Sequence, residues 1–403
     1  MSEPATQSVM RALHADGGEA RFVGGAVRNA LLGEPVGDVD IATSLTPDEV
    51  MARLTRAGLG AVPTGIAHGT VTAVCNGKPF EVTTLRRDVE TDGRHAVIAF
   101  ATDWREDAAR RDFTINALYA DENGTITDYF GGLQDLAARR VRFVGDPRLR
   151  IREDYLRILR LFRFHAWYGT GEIDEAALAA SAAGKSGLQR LSGERVQKEL
   201  LRLLEAKDPM AVLRAMQDSG ILAELLPGDS QLQRLARLIA IENANAIAPD
   251  APLRLAALLP DGGVVARVLA GRLKLSNALR GRIVEATEKD DRIAASLDEA
   301  DARKLLYRLG TERFRDCVLL QWAAAGADAG DVAWRRLLRL AEDWTAPIFT
   351  LDGNDVMALG FEEGQEVGVL LREIEQRWVA GDFAAGRPQL LEWLAHAAKK
   401  PRG

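Results

Sequence analysis

Apolar residues between Arg21 and about Val144 fall in short β-branched runs, RFVGGAVRN, DVDIAT, GTVTAV, FEVTTL, AVIAFA, TITDYF and RVRFVG, separated by glycines and polar turn residues. Runs of this length predict strands, and a few helices between them complete a mixed α/β or α+β domain. Past Asp146 the period lengthens to between three and four and stays there almost to the end, which predicts helices throughout the remainder. Breaks fall at Pro209, Pro227-Gly228, Pro249-Asp250-Ala251-Pro252, Gly326 to Asp331 and Pro347. The chain therefore divides into residues 1–145, 146–210, 211–330 and 331–403, one mixed domain followed by three helical regions.

Composition supports several packed units, because 403 residues exceed what one core organises and 47% apolar content can fill more than one. No run of eighteen apolar residues occurs, and the first twenty residues lack the basic-then-apolar profile of a secretory signal. A cytoplasmic protein that does not enter membranes is expected. Cys75 and Cys317 belong to no CxxC pair and are expected in cores, not in a zinc site or a disulfide. A formal charge of −6 argues against a protein that coats nucleic acid over its whole surface. Charge is nonetheless uneven: nine arginines and no lysine stand between Arg139 and Arg163, against the three acids Asp146, Glu153 and Asp154.

Two segments of the mixed domain carry candidate chemistry. In Gly37-Asp38-Val39-Asp40-Ile41-Ala42-Thr43 the two aspartates stand at i and i+2 of an expected strand, so they share one face while Val39 and Ile41 turn to the core. Such a pair can hold two Mg²⁺ ions about 3.5 to 4 Å apart, which activate an attacking hydroxyl and steady the leaving oxygen in phosphoryl transfer. Mg²⁺ binds through few carboxylates plus substrate phosphates, which suits a bare pair. Upstream, Val23-Gly24-Gly25-Ala26-Val27-Arg28-Asn29 reads as a strand ending in two glycines and opening a helix. Gly25 lets backbone N–H groups approach a triphosphate, the helix N-terminus adds positive potential, and Arg28 supplies a planar fork. Either segment alone is also the pattern of an ordinary turn; both in one small domain point to nucleotide phosphates.

Together with Arg110-Arg111-Asp112-Phe113-Thr114-Ile115-Asn116-Ala117-Leu118, these motifs resemble the class II tRNA nucleotidyltransferase family, the CCA-adding enzymes with their bacterial poly(A) polymerase relatives. The likeness is dense over residues 20–165 and loose beyond. It implies an α+β fold, a polymerase-β-like nucleotidyltransferase head followed by mostly α-helical neck, body and tail. It also implies template-independent addition of C and A from CTP and ATP to the 3′ end of tRNA, with release of pyrophosphate, two Mg²⁺ ions on Asp38 and Asp40, and no DNA partner. Sites of this type place a third carboxylate on a neighbouring strand, for which Glu81 is the candidate and Asp112 its competitor. By position, Arg111, Arg157, Arg160 and Arg163 look like nucleotide contacts, with Asp154.

The stretch from Arg152 to Phe164 reads as one helix, on which Asp154 and Arg157 lie about 60° apart while Arg160 and Arg163 drift roughly a further 60° each. Asp154 would accept from an exocyclic amine and Arg157 would donate to ring acceptors, a code that takes cytosine and adenine and rejects uracil and guanine. An internal Asp154–Arg157 ion pair is the alternative. The same stretch carries Leu156, Ile158, Leu159, Leu161, Phe162 and Phe164, so its charges need partners.

Residues Arg86 to Arg105 read as a mobile loop returning to a strand; relatives that add only CC are shortened there, so its presence favours completing CCA. His68 is expected in a turn. Asn29 stands where many relatives have Asp, and no His is followed by Asp, so the HD phosphohydrolase domain of some relatives is not indicated. Leu351-Asp352-Gly353-Asn354 and the stretch Leu359 to Gly368 resemble the C-terminal region of several bacterial members, with helix starts that either grip tRNA phosphates or are simply capped. The rivals are a poly(A) polymerase, a CC-only or A-only enzyme, and a non-catalytic RNA-binding protein on the same scaffold.

Overall fold

The structure, a computed structural model, describes residues 3–92 and 95–399, with side chains given outside 88–98. The chain forms two compact units, Met1–Gly228 with Gly271–Leu275, and Asp229–Ala270 with Ser276–Gly403. All strands among the described residues belong to the first unit. They are β1 (Ala20–Val23), β2 (Asp40–Thr43), β3 (Gly60–Gly65), β4 (Thr70–Cys75), β5 (Lys78–Thr84), β6 (Arg86–Asp92), β7 (His95–Phe100), β8 (Leu118–Ala120) and β9 (Ile126–Asp128). Seven make one mixed sheet in the order β3-β4-β5-β2-β1-β8-β9, and β6 and β7 pair separately. Only β2 and β5 run parallel, in a register that sets Asp40 beside Glu81.

Helices α1 (Pro4–His14), α2 (Gly25–Leu32) and α3 (Pro47–Arg56) pack on this sheet. Each starts where the sequence provides a start: Pro4 and Pro47 at first-turn positions, and a Thr46/Glu49 capping box on α3. Val23 and Ala42 join Leu85, Trp104, Tyr119 and Val144 in one buried apolar cluster. The rest of this unit is helical: α4 (Trp104–Ala109), α5 (Gly132–Ala137), α6 (Pro147–Glu153), α7 (Leu156–Tyr168), α8 (Glu175–Gly184), α9 (Gly193–Leu204), α10 (Met210–Asp218) and α11 (Ile221–Leu225).

In the second unit the expected breaks become helix ends. Asp250 caps Ala251–Leu258, left-handed Gly326 ends Thr311–Ala325, and Asp331 caps Val332–Asp343. Asp352 and Asp355 form a capping box on Gly353–Met357, so capping accounts for that helix start. Cys75 and Cys317 are both buried thiols, as their spacing implied.

Three local readings are corrected. RVRFVG is not a strand; it contributes one isolated bridge, Phe113 to Phe143. The stretch after Arg86 is not a loop: β6 pairs antiparallel with β7, the strand to which the loop was expected to return, while Gly93 and Arg94 lie outside the described residues. The helix expected through Arg152 to Phe164 is broken in two at Asp154-Tyr155.

Candidate active site

The edge of the site is built where β1 ends. Gly24 sits at φ 70°, ψ −126°, a conformation that any side chain would strain, and hands the chain directly into α2. No side chain caps α2, which leaves its first N–H groups beside the cleft that Gly24 and Gly25 line. One turn on, buried Arg28 donates to Asn29 Oδ1 at 2.9 Å, to the Tyr168 hydroxyl at 2.8 Å and to Asn116 Oδ1. Asn29, the departure from the family pattern, thus orients Arg28, and its own amide is tied to Pro35 O at 2.9 Å.

Asp40 opens β2 half-buried, flanked by buried Val39 and Ile41, so the alternation read from the sequence holds. Asp38 is exposed and lies in a bend before the strand, so only one of the two aspartates belongs to β2 itself. Burial, then Glu81 and more weakly Asp38, push the Asp40 carboxyl above its usual range, with Arg111 opposing them. The structure thus sets Asp40 beside Glu81 on the neighbouring strand, with Asp38 near enough to act on its charge. Glu81 is exposed and is not part of the cleft wall.

Asp112, the competitor for the third-carboxylate role, is spent otherwise. It accepts from Arg160 Nε at 2.7 Å, from Asn116 Nδ2 at 3.0 Å and from the Phe113 amide at 2.8 Å. Burial works to raise its pKa, but Arg160 and these hydrogen bonds bring it down to about 2. Asp107 does the same for the preceding arginines: fully buried, it accepts from Arg111 Nη2 at 3.0 Å, Arg110 Nε at 2.8 Å and the Tyr119 hydroxyl at 2.6 Å. Against the cost of burial, these partners hold it at about 2. Arg111 and Arg160 are therefore fixed from behind, with the cleft in front of them.

The break at Asp154-Tyr155 changes how the expected base-reading pair is built. Asp154 is extended, at φ −155° and ψ 108°. Its Oδ1 accepts from the Leu156 amide at 3.1 Å and its Oδ2 from Arg195 Nη2 at 2.7 Å. Arg157 pairs instead with Glu153 and donates to Arg150 O at 2.8 Å. Asp154 thus stands at the start of α7, where its carbonyl accepts from the Arg157 amide at 3.0 Å, and the internal ion-pair alternative is wrong, because Arg157 pairs with Glu153 and Asp154 with Arg195. What holds Tyr155 at this bend is close packing: a Cβ on Gly187 would lie 2.0 Å from Tyr155 Cδ1.

Gly24, Gly25, Arg28, Asp40, Arg111, Asp154, Arg157 and Arg160 nevertheless line one cleft of about 380 Å³, joined by Arg110, Asp112, Asn116, Leu156, Phe164 and Arg195. Arg163 does not line it. Its guanidinium pairs with Glu199 at 3.0 Å and faces an adjoining cleft. Most of the arginine zone is compensated within the fold, with Arg140 and Arg142 on buried Asp135, Arg150 and Arg157 on Glu153, and Arg160 on Asp112. Arg195 is the residue that sequence reading missed; its signal, an arginine two residues after Gly193 in LSGERV, has meaning only once α9 packs against α7.

A nucleotidyl-transfer head is the class that this sheet and cleft define, and residues 20–142 match the family model of the poly A polymerase head domain. Residues 172–231 match the model of the probable RNA and SrmB-binding site of polymerase A. Over 391 residues the chain is 34% identical to CCA tRNA nucleotidyltransferase 1, mitochondrial, of Mus musculus, covering 93% of this chain and 86% of that protein. It is 32% identical over 400 residues to the CCA-adding enzyme of Levilactobacillus brevis, covering 97% and 96%. Among solved structures, the Bacillus stearothermophilus CCA-adding enzyme in complex with CTP superposes with a TM-score of 0.76 at 28% identity over 98% of both chains. The chain belongs to the CCA tRNA nucleotidyltransferase family.

Proposed function

We propose that this chain adds C and A from CTP and ATP, without a template, to the 3′ end of tRNA and releases pyrophosphate. The observation that carries this reading is that Asp40 and the Asp154/Arg157 pair line the same cleft, so one nucleotide can meet both ends of the site. The family names and the CTP complex of a 28%-identical relative support it.

The geometry supports a role for each of these residues. Uncapped α2, Arg28 and Arg111 bind the triphosphate, and Arg160, held by Asp112, faces the same cleft. Asp154 keeps lone pairs for an exocyclic amine after its bonds to Arg195 and Leu156, and Arg157 keeps N–H groups for ring acceptors. Uracil and guanine present a carbonyl to the carboxylate and an N–H to the guanidinium, leaving both groups unpaired. Arg163 acts from outside this cleft.

Divalent cations fit the carboxylate corner, where Glu81 and Asp38 both disfavour the charged form of Asp40 and Arg111 opposes them. Among the described residues no three acidic, His or Cys side chains close into a cage, so the ions would rest on Asp38 and Asp40 with phosphates completing the shell, as Mg²⁺ prefers. Bound there, two Mg²⁺ would supply activation of the attacking hydroxyl and stabilisation of the leaving oxygen.

The four-part division belongs to the same reading, supported by strands ending at Asp128, a helix starting after Pro209 and the break at Gly326 to Asp331. No described helix is long and apolar enough to cross a membrane. A cytoplasmic location is proposed; the mouse relative is named mitochondrial, and cell fractionation decides. The functional test offers tRNA lacking CCA with each labelled nucleoside triphosphate, singly and together, and sequences the products. Ordered C, C, A addition is expected. Extension by ATP alone over many residues would make it a poly(A) polymerase, and tRNA binding without incorporation an RNA-binding protein.

A further inference from the structure

A second cleft, of about 200 Å³, adjoins the nucleotide cleft and shares Arg28 and Phe164 with it; Arg163, Trp167, Tyr168 and Arg202 complete its wall. Its composition is unlike that of an ordinary surface dent. Trp167, near the end of α7, is 43% exposed, a large aromatic surface left to solvent. The indole is nonetheless fixed, because Nε1 donates to Arg202 O at 2.7 Å on α9. One guanidinium lies beside it, Arg202 at 5.7 Å from the Trp167 ring centre, while elsewhere in the same wall Arg163 lies 4.5 Å from the ring centre of Phe164 and Arg28 3.9 Å from that of Tyr168.

A ring that is exposed, pinned in orientation and set in a cleft walled by arginines is what a single-stranded nucleic acid uses, because every base has a face to stack and every linkage a phosphate to pair. A ring already held by its own hydrogen bond loses little freedom when a base stacks on it. Position adds to the argument. On one side the cleft shares Arg28 and Phe164 with the nucleotide site, and on the other Arg202 belongs to the segment that matches a probable RNA-binding region.

We propose that this cleft binds an unpaired nucleotide near the 3′ end of the RNA being extended, with its base on Trp167 and its phosphates toward Arg202 and Arg163. The inference rests on the proposed reading that RNA is the acceptor. It assigns Trp167 and Arg202, which the sequence motifs leave out, to primer binding.

The test uses the full chain and a tRNA ending before CCA with 2-aminopurine as its last unpaired nucleotide. The wild type should quench the fluorophore on binding. Trp167→Ala should lose that quenching and weaken RNA binding roughly 5- to 100-fold, while Trp167→Phe retains most of both. CTP binding, measured by equilibrium dialysis, separates lost stacking from lost folding, since a misfolded variant loses CTP as well. Unchanged quenching and RNA affinity in a Trp167→Ala protein that still binds CTP would overturn the proposal. So would equal dependence on Trp167 for a blunt duplex RNA, or a site that responds to pyrophosphate and not to RNA. Failure of the functional reading looks different: the wild type binds the RNA through Trp167 but incorporates neither nucleotide.

Discussion

Single charged residues in this site are defined by what stands behind them. Asp107 is the clearest case: its carboxyl drops from 3.8 to about 2 because, against burial, Arg111, Arg110 and Tyr119 converge on it. A depressed carboxylate contributes stability in full above its unfolded pKa and loses it as pH falls through the folded one. Asp107→Asn should therefore cost about 2 kcal/mol at neutral pH, and its urea midpoint should approach that of the wild type as pH drops below about 4. A gap that stays constant into acid would refute this. Asp40→Ala should abolish incorporation while tRNA affinity stays near wild type, read by single-turnover kinetics beside a filter-binding assay. Near-normal turnover would rule out its role. Asp154→Ala should lower discrimination against UTP and GTP by roughly 10- to 100-fold, and unchanged ratios of kcat/KM would exclude base reading by this carboxylate.

At the scale of the element, the bend between α6 and α7 matters more than either helix. Helical periodicity continues across it, which is why Arg152 to Phe164 reads as one helix. The interruption comes from outside the segment: the Tyr155 ring packs closely on Gly187, where a Cβ would sit 2.0 Å from its Cδ1, and Asp154 turns away to meet Arg195. Gly187→Ala should push Tyr155 off its seat at a cost of roughly 1–3 kcal/mol, with KM for CTP and ATP rising more than kcat falls. A variant with wild-type melting temperature and wild-type KM would show that Tyr155 does not position the pair. The start of α2 is the opposite case, since a glycine pair before an apolar helix is a local instruction and the fold obeys it.

Across the whole molecule, chemistry and stability are expected to separate. No cage of ligands ties a metal into the core among the described residues, so chelation by EDTA should stop incorporation, Mg²⁺ should restore it, and the melting temperature should not move. A large fall in melting temperature on chelation would reveal a structural ion instead. The architecture was largely legible from the sequence: the change of period after Asp146, the helix ends at Pro209, Asp250 and Asp331, and the alternation that turns Val39 and Ile41 inward beside Asp40. These follow from neighbours within a few residues, and backbone sterics and burial act there whatever lies further away. The pairing of charges was not legible. With 52 basic and 58 acidic residues, nothing local selects Arg195 for Asp154, Asp112 for Arg160 or Glu199 for Arg163. Packing selected them, because a buried charge accepts only a partner that the fold delivers to hydrogen-bond distance. That step also moved Arg163 out of the nucleotide cleft, and left Trp167 facing a cleft of its own.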